Sequence, residues 1–425
     1  MLTKIPGAPE DYLPRYLDEE LRELFPQLPA IAIDGAKGVG KTETAQRWVE
    51  HVLALDNPEV GQLIAADTVN QLTKYATTCI DEWQKYPPVW DAVRRLVDQQ
   101  TPNRFLLTGS ATPVSGADTH SGAGRIASLR LRPLSLAERP STSPSVFISR
   151  LFLGDAEISG ETNFGLPDYA KAICETGMPQ IFRASPRARR ILIDGYIQRI
   201  IDHDIPEQGV LMRKPQSLRV WMSAYAAASS TTASYSAILD AASPGEPDKP
   251  AKSTTQNIRE LLTQLWILDP VPGWEPTGTS LKRLTFGPKH QLFDPGIAAA
   301  LTGTTPETLL SGTPPGSMET FGQLFEALAT LTVRAAGQAA EAKCYHLRTR
   351  AGEHEIDLIL ERYDGKVIAF EVKLATTVSE NDLKHLHWLG EQIGKRLVER
   401  IVITTGQFAF RRPDGIAIVP LALLG

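Results

Sequence analysis

The sequence predicts an α/β protein in which a parallel β-sheet near the amino terminus is covered by helices on both faces. Residues 29–138 alternate between short apolar runs and helix-like stretches, a pattern typical of such a sheet. Residues 169–235 are mostly helical in pattern, and residues 317–425 again combine strands with helices. A chain of 425 residues has room for roughly two to four domains, and these patterns indicate several.

The strands of the predicted sheet are short apolar runs bounded by turn residues. The first run, 29–34, precedes a glycine-rich turn. A helix is predicted over 43–55, because apolar residues from Ala45 to Val52 follow the i, i+3, i+4, i+7 spacing of a helix face. Further strands are predicted at 63–66, 77–81, 105–108 and 126–131.

The middle of the chain contains two breaks in composition. Residues 140–145 have the composition of a linker, and the Pro-rich residues 241–250 that of an exposed loop. A helix is predicted over 187–201 between these breaks. The order around the second break is three helices and then a hairpin, which is typical of a winged helix-turn-helix. Its last elements are a helix over 254–265 and strands at 266–269 and 282–286.

A third boundary falls in residues 303–316, which are rich in Gly, Thr and Pro. A helix over 319–335, three strands, a helix over 380–393 and a strand over 400–405 follow it, enough for a small α/β domain. The boundaries predict four domains, at 1–139, 140–210, 211–302 and 317–425.

Composition and charge exclude several classes of protein. The 42% of hydrophobic and 22% of charged residues exclude a largely disordered or collagenous chain. The net charge of −5 leaves nucleic-acid binding to a local patch. The three cysteines lie far apart and form neither a disulfide framework nor a zinc motif. Because no signal peptide or membrane-spanning apolar stretch is found, we expect a cytoplasmic protein that does not contact membranes.

The glycine-rich turn matches the pattern G-x-x-x-x-G-K-[ST] at every fixed position. A backbone that wraps a phosphate closely requires glycine, and the helix after the loop directs its positive end at the phosphates. Lys41 is expected to neutralise the β- and γ-phosphates, and Thr42 to supply an oxygen to Mg²⁺. The motif predicts a site for ATP and Mg²⁺ made by Gly35, Ala36, Lys37, Gly38, Val39, Gly40, Lys41 and Thr42.

Three further stretches are candidates for the same site. Asp81, at the end of a predicted strand, is expected to hold Mg²⁺ through water, and Glu82 to orient or polarise the attacking water. Thr108 or Ser110 could contact the γ-phosphate; the alternative is an ordinary turn after a strand. Arg125, beside glycines, is either an arginine finger or a surface arginine. A finger that acts on a neighbouring subunit would make the ATP-bound protein a homo-oligomer.

Residues 355–374 predict a hairpin that carries two carboxylates. A three-residue loop over 363–365 pairs residue 362 with 366, which places Asp357 opposite Glu371. Lys373 lies two residues further along the same face, and Glu326 on the preceding helix could add an acidic contact. Hard oxygen ligands suit Mg²⁺ or Mn²⁺, so this group resembles the PD-(D/E)xK nuclease core. The alternative is a solvated hairpin face with ordinary charges.

Basic residues give no strong electrostatic footprint for DNA in either carboxy-terminal domain. His385 and His387 are expected in solvent-facing or packing roles. Six basic residues either cluster on one face or are scattered solubilising charges: Arg213, Lys214, Arg219, Lys282, Arg283 and Lys289.

Taken together, the motifs resemble those of the widespread prokaryotic AAA-type ATPases related to the archaeal ATPases. The resemblance covers most of the chain. It implies an ATPase domain, a helical lid, a winged helix and a carboxy-terminal restriction-endonuclease-like domain. It rests on residues 35–42, 80–84, 107–111, 120–125, 131–135, 177–179, 204–205, 265–270 and 288–290.

Two functional hypotheses follow. In the first, the protein acts on DNA, and its ATP state gates a metal-dependent nuclease. In the second, it is a nucleotide-driven switch whose carboxy-terminal domain binds DNA or a protein partner without cleavage. The intact Asp357, Glu371 and Lys373 favour the first, and the weak basic character favours the second.

Overall fold

The computed structural model describes residues 11–109, 122–209, 215–243, 252–276, 287–349 and 352–425. They fall into two compact units. The nucleotide unit comprises Leu2–Pro133 and Glu260–Ile267, and the carboxylate unit comprises Leu134–Arg259 and Leu268–Gly425. Within the described ranges, no helix is long and apolar enough to cross a membrane.

The nucleotide unit is built on the predicted parallel sheet. Its five strands lie in the order β2-β3-β4-β1-β5 and are all parallel. The two innermost strands have buried apolar runs, 30–33 in β1 and 105–107 in β4, because both of their faces are covered. The strands are β1 (Ala30–Asp34), β2 (His51–Ala54), β3 (Thr77–Asp81), β4 (Arg104–Gly109) and β5 (Ala127–Arg130). The helices are α1 (Tyr16–Leu24), α2 (Lys41–Ala45), α3 (Pro58–Ala66), α4 (Thr68–Thr73) and α5 (Pro88–Asp98).

Two of the sequence predictions for this unit are wrong. The helix predicted over 43–55 ends at Ala45, and its second half is strand β2, because pairing with β3 buries Leu53 in the core of the sheet. The strand predicted at 63–66 is the end of α3. A short apolar run does not distinguish strand from helix, and Asn57 caps this helix by accepting the Glu59 N–H.

The first part of the carboxylate unit is helical, as predicted for 169–235. Three helices, α11 to α13, occur in the order expected of a winged helix-turn-helix, and the part of α13 from Glu260 onward belongs to the nucleotide unit. The helices are α6 (Ile148–Leu153), α7 (Leu166–Cys174), α8 (Pro179–Phe182), α9 (Pro186–Arg199), α10 (Ile205–Glu207), α11 (Pro215–Ala227), α12 (Tyr235–Ala242), α13 (Lys252–Gln264), α14 (Pro295–Leu301), α15 (Pro306–Ser311), α16 (Ser317–Ala339) and α17 (Glu380–Ile393).

The hairpin predicted after α13 is not a regular ladder in the described residues. Leu268 and Val271 form single antiparallel bridges with Leu292 and Lys289, in place of a strand over 266–269. The second predicted strand, 282–286, lies outside the described residues. The wing of the winged helix therefore stays a prediction.

The carboxy-terminal part of this unit is a seven-stranded sheet in the order β6-β11-β12-β10-β9-β8-β7. Strands β7, β8 and β9 are antiparallel, whereas β10 runs parallel to both β9 and β12. Apolar residues of α17 pack on this sheet. The strands are β6 (Gly160–Glu161), β7 (Ala342–Arg348), β8 (Glu355–Arg362), β9 (Val367–Val372), β10 (Leu397–Thr404), β11 (Phe408–Arg411) and β12 (Ala417–Pro420).

Residues from the helical part complete this sheet at one edge. Strand β6 pairs with β11, and the Thr162 N–H donates to the Gln407 carbonyl at 2.8 Å. The Val146 N–H donates to the Leu423 carbonyl at 2.9 Å, and the Val146 carbonyl accepts the Gly425 N–H at 2.8 Å. The first and last segments of the carboxylate unit therefore share one set of hydrogen bonds.

The predicted register of the β8–β9 hairpin is confirmed. Leu358 pairs with Phe370 and Glu361 with Val367, so the next position in line sets Asp357 opposite Glu371. The Arg362 N–H donates to the Lys366 carbonyl at 3.0 Å across the three-residue loop.

Candidate functional site

The phosphate-binding loop joins β1 to α2, at the carboxyl edge of the parallel sheet. The chain passes so close to β5 at Gly35 that an added Cβ would lie 2.3 Å from the Leu131 carbonyl oxygen. Gly40, which precedes α2, has a φ of 100°, in the left-handed region. A side chain at either position would displace the loop, which explains glycine at these positions.

Lys41 folds back over this loop. Its Nζ donates to the carbonyl oxygens of Gly35 and Ala36, at 2.8 and 2.9 Å, and the side chain is buried. Burial lowers the pKa of Lys41 to about 8, and the negative charges of Glu82, Asp81 and Asp34 only partly offset this. Phosphate oxygens would compete with the two carbonyl groups for this ammonium.

Thr42 and Asp81 meet at the edge of the sheet. The Thr42 hydroxyl donates to Asp81 Oδ1 at 2.8 Å, and the Thr108 hydroxyl donates to the same oxygen. Asp81 ends β3, and Thr108 is fully buried in the neighbouring strand β4. A hydroxyl beside a carboxylate is a donor set that fits Mg²⁺. Thr108 thus contacts the carboxylate of Asp81, while Ser110, its sequence alternative, lies outside the described residues.

Glu82 follows Asp81 directly and has a left-handed backbone, with a φ of 51°. This conformation is costly for a residue other than glycine and tends to occur at functional sites. The carboxylate accepts a hydrogen bond from the Gln84 amide. Its assignment to the attacking water stays a prediction.

Arg125 forms an ion pair within the nucleotide unit. Its Nε donates to Asp98 Oδ1, at the end of α5, at 2.8 Å. The arginine side chain is exposed to 44%, so it can leave this carboxylate at little cost. This geometry fits both alternatives, a surface arginine and a finger acting on another subunit.

Sequence reasoning missed a residue that supports the loop from outside. Arg15, just before α1, is buried, and its guanidinium donates to the Val39 carbonyl at 3.0 Å and the Arg132 carbonyl at 2.5 Å. Nearby, the Tyr12 hydroxyl lies 3.2 Å from the Thr44 hydroxyl on α2. Nothing in the local sequence distinguishes Arg15 from a surface arginine, because its partners are distant in the chain.

The predicted carboxylates come together in the carboxylate unit. Asp357 Oδ2 accepts the backbone N–H of Val372 at 2.9 Å, and Glu371 Oε1 lies 2.9 Å from Lys373 Nζ. Every residue of β9 is buried, and Glu371 is only 7% exposed. The alternative of a solvated hairpin face is therefore wrong.

A second lysine, Lys289, also belongs to this group, whereas the sequence analysis placed it among surface charges. Lys289 is fully buried, and its Nζ lies 2.7 Å from Glu326 Oε1 and 3.0 Å from Asp357 Oδ1. It therefore cannot belong to an exposed basic face. Arg219 pairs with Asp194, and the other four basic residues of that prediction lie outside the described residues.

The carboxylate site contains Glu326, Asp357 and Glu371 with two ammonium groups, Lys289 and Lys373. Burial raises the pKa of Glu326 to about 8, although Lys289 attracts its negative form. Burial also raises the pKa of Glu371, helped by the charge of Asp357. For Asp357 burial acts in the same direction, but Lys289 and the Val372 N–H outweigh it and hold the pKa below its usual value.

Two histidines and a tryptophan lie together next to this site. The ring of His354 stacks on Trp388 with centroids 4.0 Å apart, and its Nδ1 lies 3.3 Å from Nδ1 of His385. Burial lowers the pKa of His385, and the neighbouring cation Lys384 adds to the effect. His385 packs here, as predicted, while His387 approaches Asp414 on the other side of α17.

Three family models match separate parts of the chain. Residues 27–139 match the AAA domain, which supports an AAA-type ATPase and its nucleotide-binding function. Residues 166–308 and 321–424 match two domains of unknown function, DUF8612 and DUF4143. A search of curated proteins finds no significant match. The comparisons thus support the predicted ATPase domain and assign no activity to the carboxylate unit.

Proposed function

We propose that this chain, whose residues 27–139 are of the AAA type, is a Mg²⁺-dependent ATPase that acts on DNA through its carboxylate unit. The observation that carries the ATPase assignment is the meeting of Lys41, Thr42 and Asp81 at the carboxyl edge of one parallel sheet. Its three cysteines are free thiols, which suits the cytoplasm.

Each residue of the site has a defined task in ATP hydrolysis. The backbone N–H groups of 35–42 and the ammonium of Lys41 hold the β- and γ-phosphates. Thr42 and Asp81 would hold Mg²⁺, which would supply positive charge to the transferring phosphoryl group. Glu82 orients the attacking water and accepts its proton, and Thr108 fixes the Asp81 carboxylate.

Titration of the full chain with ATP, with and without Mg²⁺, tests this assignment. We expect Lys41→Ala to lose ATP binding, because it removes the buried ammonium that lies over the loop. Lys37→Ala is the matched control, since it removes a lysine from a variable position of the same loop. Equal ATP binding by Lys41→Ala and wild type would contradict the proposal.

Arg125 suggests how the ATPase is completed. Its half-exposed side chain is held by Asp98 and not by the phosphate-binding loop. We propose that it acts on the γ-phosphate bound to a second copy, so that the ATP-bound protein is a homo-oligomer.

For the carboxylate unit we propose metal-dependent cleavage of DNA. The specific observation is Glu371, which is buried beside Asp357 and whose Oε2 has no hydrogen-bond partner among the described residues. Asp357 and Glu371 would hold Mg²⁺ or Mn²⁺, and the bound metal would activate a water. Lys373, 2.9 Å from Glu371, would stabilise charge that develops on the phosphodiester.

Incubation with plasmid DNA, single strands and RNA, with and without ATP and each metal, tests this second assignment. We expect cleavage that requires Mg²⁺ or Mn²⁺ and is lost in Asp357→Asn. Retention of DNA or of a protein partner without cleavage would instead select the regulatory switch.

A further inference from the structure

We propose that Lys289 is an internal cation that closes the carboxylate site to metal ions, and that the site binds a divalent metal only after Lys289 is withdrawn. This inference rests on the proposed metal site in the carboxylate unit and adds its regulation.

Lys289 occupies the position that a metal ion would need. Its Nζ lies 2.7 Å from Glu326 Oε1 and 3.0 Å from Asp357 Oδ1, so one ammonium bridges the two carboxylates. Mg²⁺ or Mn²⁺ would have to take the same oxygens, at about 2.1 Å for Mg²⁺. Two cations in one buried pocket repel each other strongly, because little water screens them. Binding of the metal and of Lys289 is therefore mutually exclusive.

The third carboxylate distinguishes this arrangement from a simple buried ion pair. A bridge from Lys289 to Glu326 and Asp357 satisfies those two groups, and neither needs Glu371. Yet Glu371 is 7% exposed beside them, and its Oε2 is without a partner among the described residues. A buried carboxylate oxygen without a partner is costly, and a third ligand for a metal ion explains why it is retained.

Hydrogen bonds on both sides hold the backbone around Lys289 in place. Its own N–H and carbonyl pair with Val271, both at 2.9 Å, and its neighbour His290 exchanges backbone hydrogen bonds with Ser230 and Thr231. On the side of the carboxy-terminal sheet, Lys289 Nζ contacts Glu326 and Asp357. The Gly287 carbonyl oxygen lies 2.9 Å from His346 Nε2. Val271 continues into residues 272–274, which pair with His346 on β7 and bury Trp274 in the core of the sheet. Withdrawal is therefore a movement of the Lys289 side chain away from its two carboxylates, with the backbone left in place.

Mn²⁺ titration of the full chain without nucleotide, by calorimetry, tests the proposal. We expect wild type to show no Mn²⁺ binding that depends on Asp357. Lys289→Met removes the ammonium at similar length, and we expect it to bind one Mn²⁺ per chain, about tenfold or more tighter than wild type. The double variant Lys289→Met/Asp357→Asn should lose this binding again. Lys395→Met, which removes an exposed lysine elsewhere, is the matched control.

The outcomes separate this inference from the proposed nuclease. If wild type already binds Mn²⁺ through Asp357 as tightly as Lys289→Met does, the site is a metal site and Lys289 does not close it. If neither protein binds Mn²⁺ there, the proposed metal site fails as well. The wild-type titration does not depend on the folding of any variant, and a wild-type circular dichroism spectrum with a cooperative urea unfolding transition would show that Lys289→Met is folded.

Discussion

Replacement of Gly35 by alanine should disable the phosphate-binding loop. The new Cβ would lie 2.3 Å from the Leu131 carbonyl oxygen, a backbone atom that cannot rotate away. Overpacking of this kind costs about 1–3 kcal/mol, and the φ of 155° adds strain for a residue with a side chain. If the loop moves to relieve the clash, about 3 kcal/mol corresponds to a loss of more than about a hundredfold in ATP affinity.

The assay is ATP binding by calorimetry together with urea unfolding followed by tryptophan fluorescence. Gly61→Ala is the matched control, because Gly61 lies within α3 and an added Cβ would meet no atom within 4 Å. It should stabilise the protein by about 0.5–1 kcal/mol, since alanine is the better helix former. Gly35→Ala protein that binds ATP within twofold of wild type would refute the reasoning.

Four further predictions concern individual side chains. Glu82→Gln should keep ATP affinity but slow turnover by about a hundredfold or more, because its carboxylate acts on the attacking water; steady-state phosphate release measures this. Mixtures of Arg125→Ala with Lys41→Ala protein should recover part of the activity that each lacks, and the absence of recovery in a protein that stays monomeric with ATP would exclude action across subunits. Lys373→Ala should eliminate DNA cleavage while ATP hydrolysis remains, and Lys289→Met/Lys373→Ala should bind Mn²⁺ as Lys289→Met does, because lysine is not a metal ligand. Burial lowers the pKa of His346 from 6.5 to about 4, so the unfolded chain takes up this proton before the folded protein does as the pH falls. The free energy of unfolding should therefore be highest above about pH 6.5 and should fall by up to about 3 kcal/mol toward pH 4. Urea unfolding at several pH values measures this decrease, which should be smaller in His346→Gln.

Sequence patterns predicted correctly those parts of the fold and the site that are determined within a short stretch of chain. The phosphate-binding loop follows from its glycines, and the alignment of Asp357 with Glu371 from a turn of three residues. Periodicity failed at 43–55 and 63–66. The apolar spacing of each stretch fits either a helix or a strand. Pairing with β3 makes the second half of 43–55 a strand, and the cap at Asn57 begins the helix that contains 63–66.

The residues that sequence reasoning missed are those whose role depends on distant partners. The local sequence does not distinguish Lys289 from a solvent-facing lysine, because its partners Glu326 and Asp357 are distant in the chain. Arg15 likewise becomes a support of the loop only through the carbonyl groups of Val39 and Arg132. No spacing rule connects positions so far apart in one sequence.

The edge of the seven-stranded sheet that β6 covers determines where a stable carboxy-terminal fragment can begin. A fragment that starts at residue 317 would lose β6 and the contacts of Val146 with Gly425. It would then present β11, with the exposed rings of Phe408 and Phe410, as an uncovered sheet edge. Such edges recruit strands from other molecules, so the excised piece should aggregate, whereas a fragment that starts at Leu134 and keeps this edge covered should stay in solution.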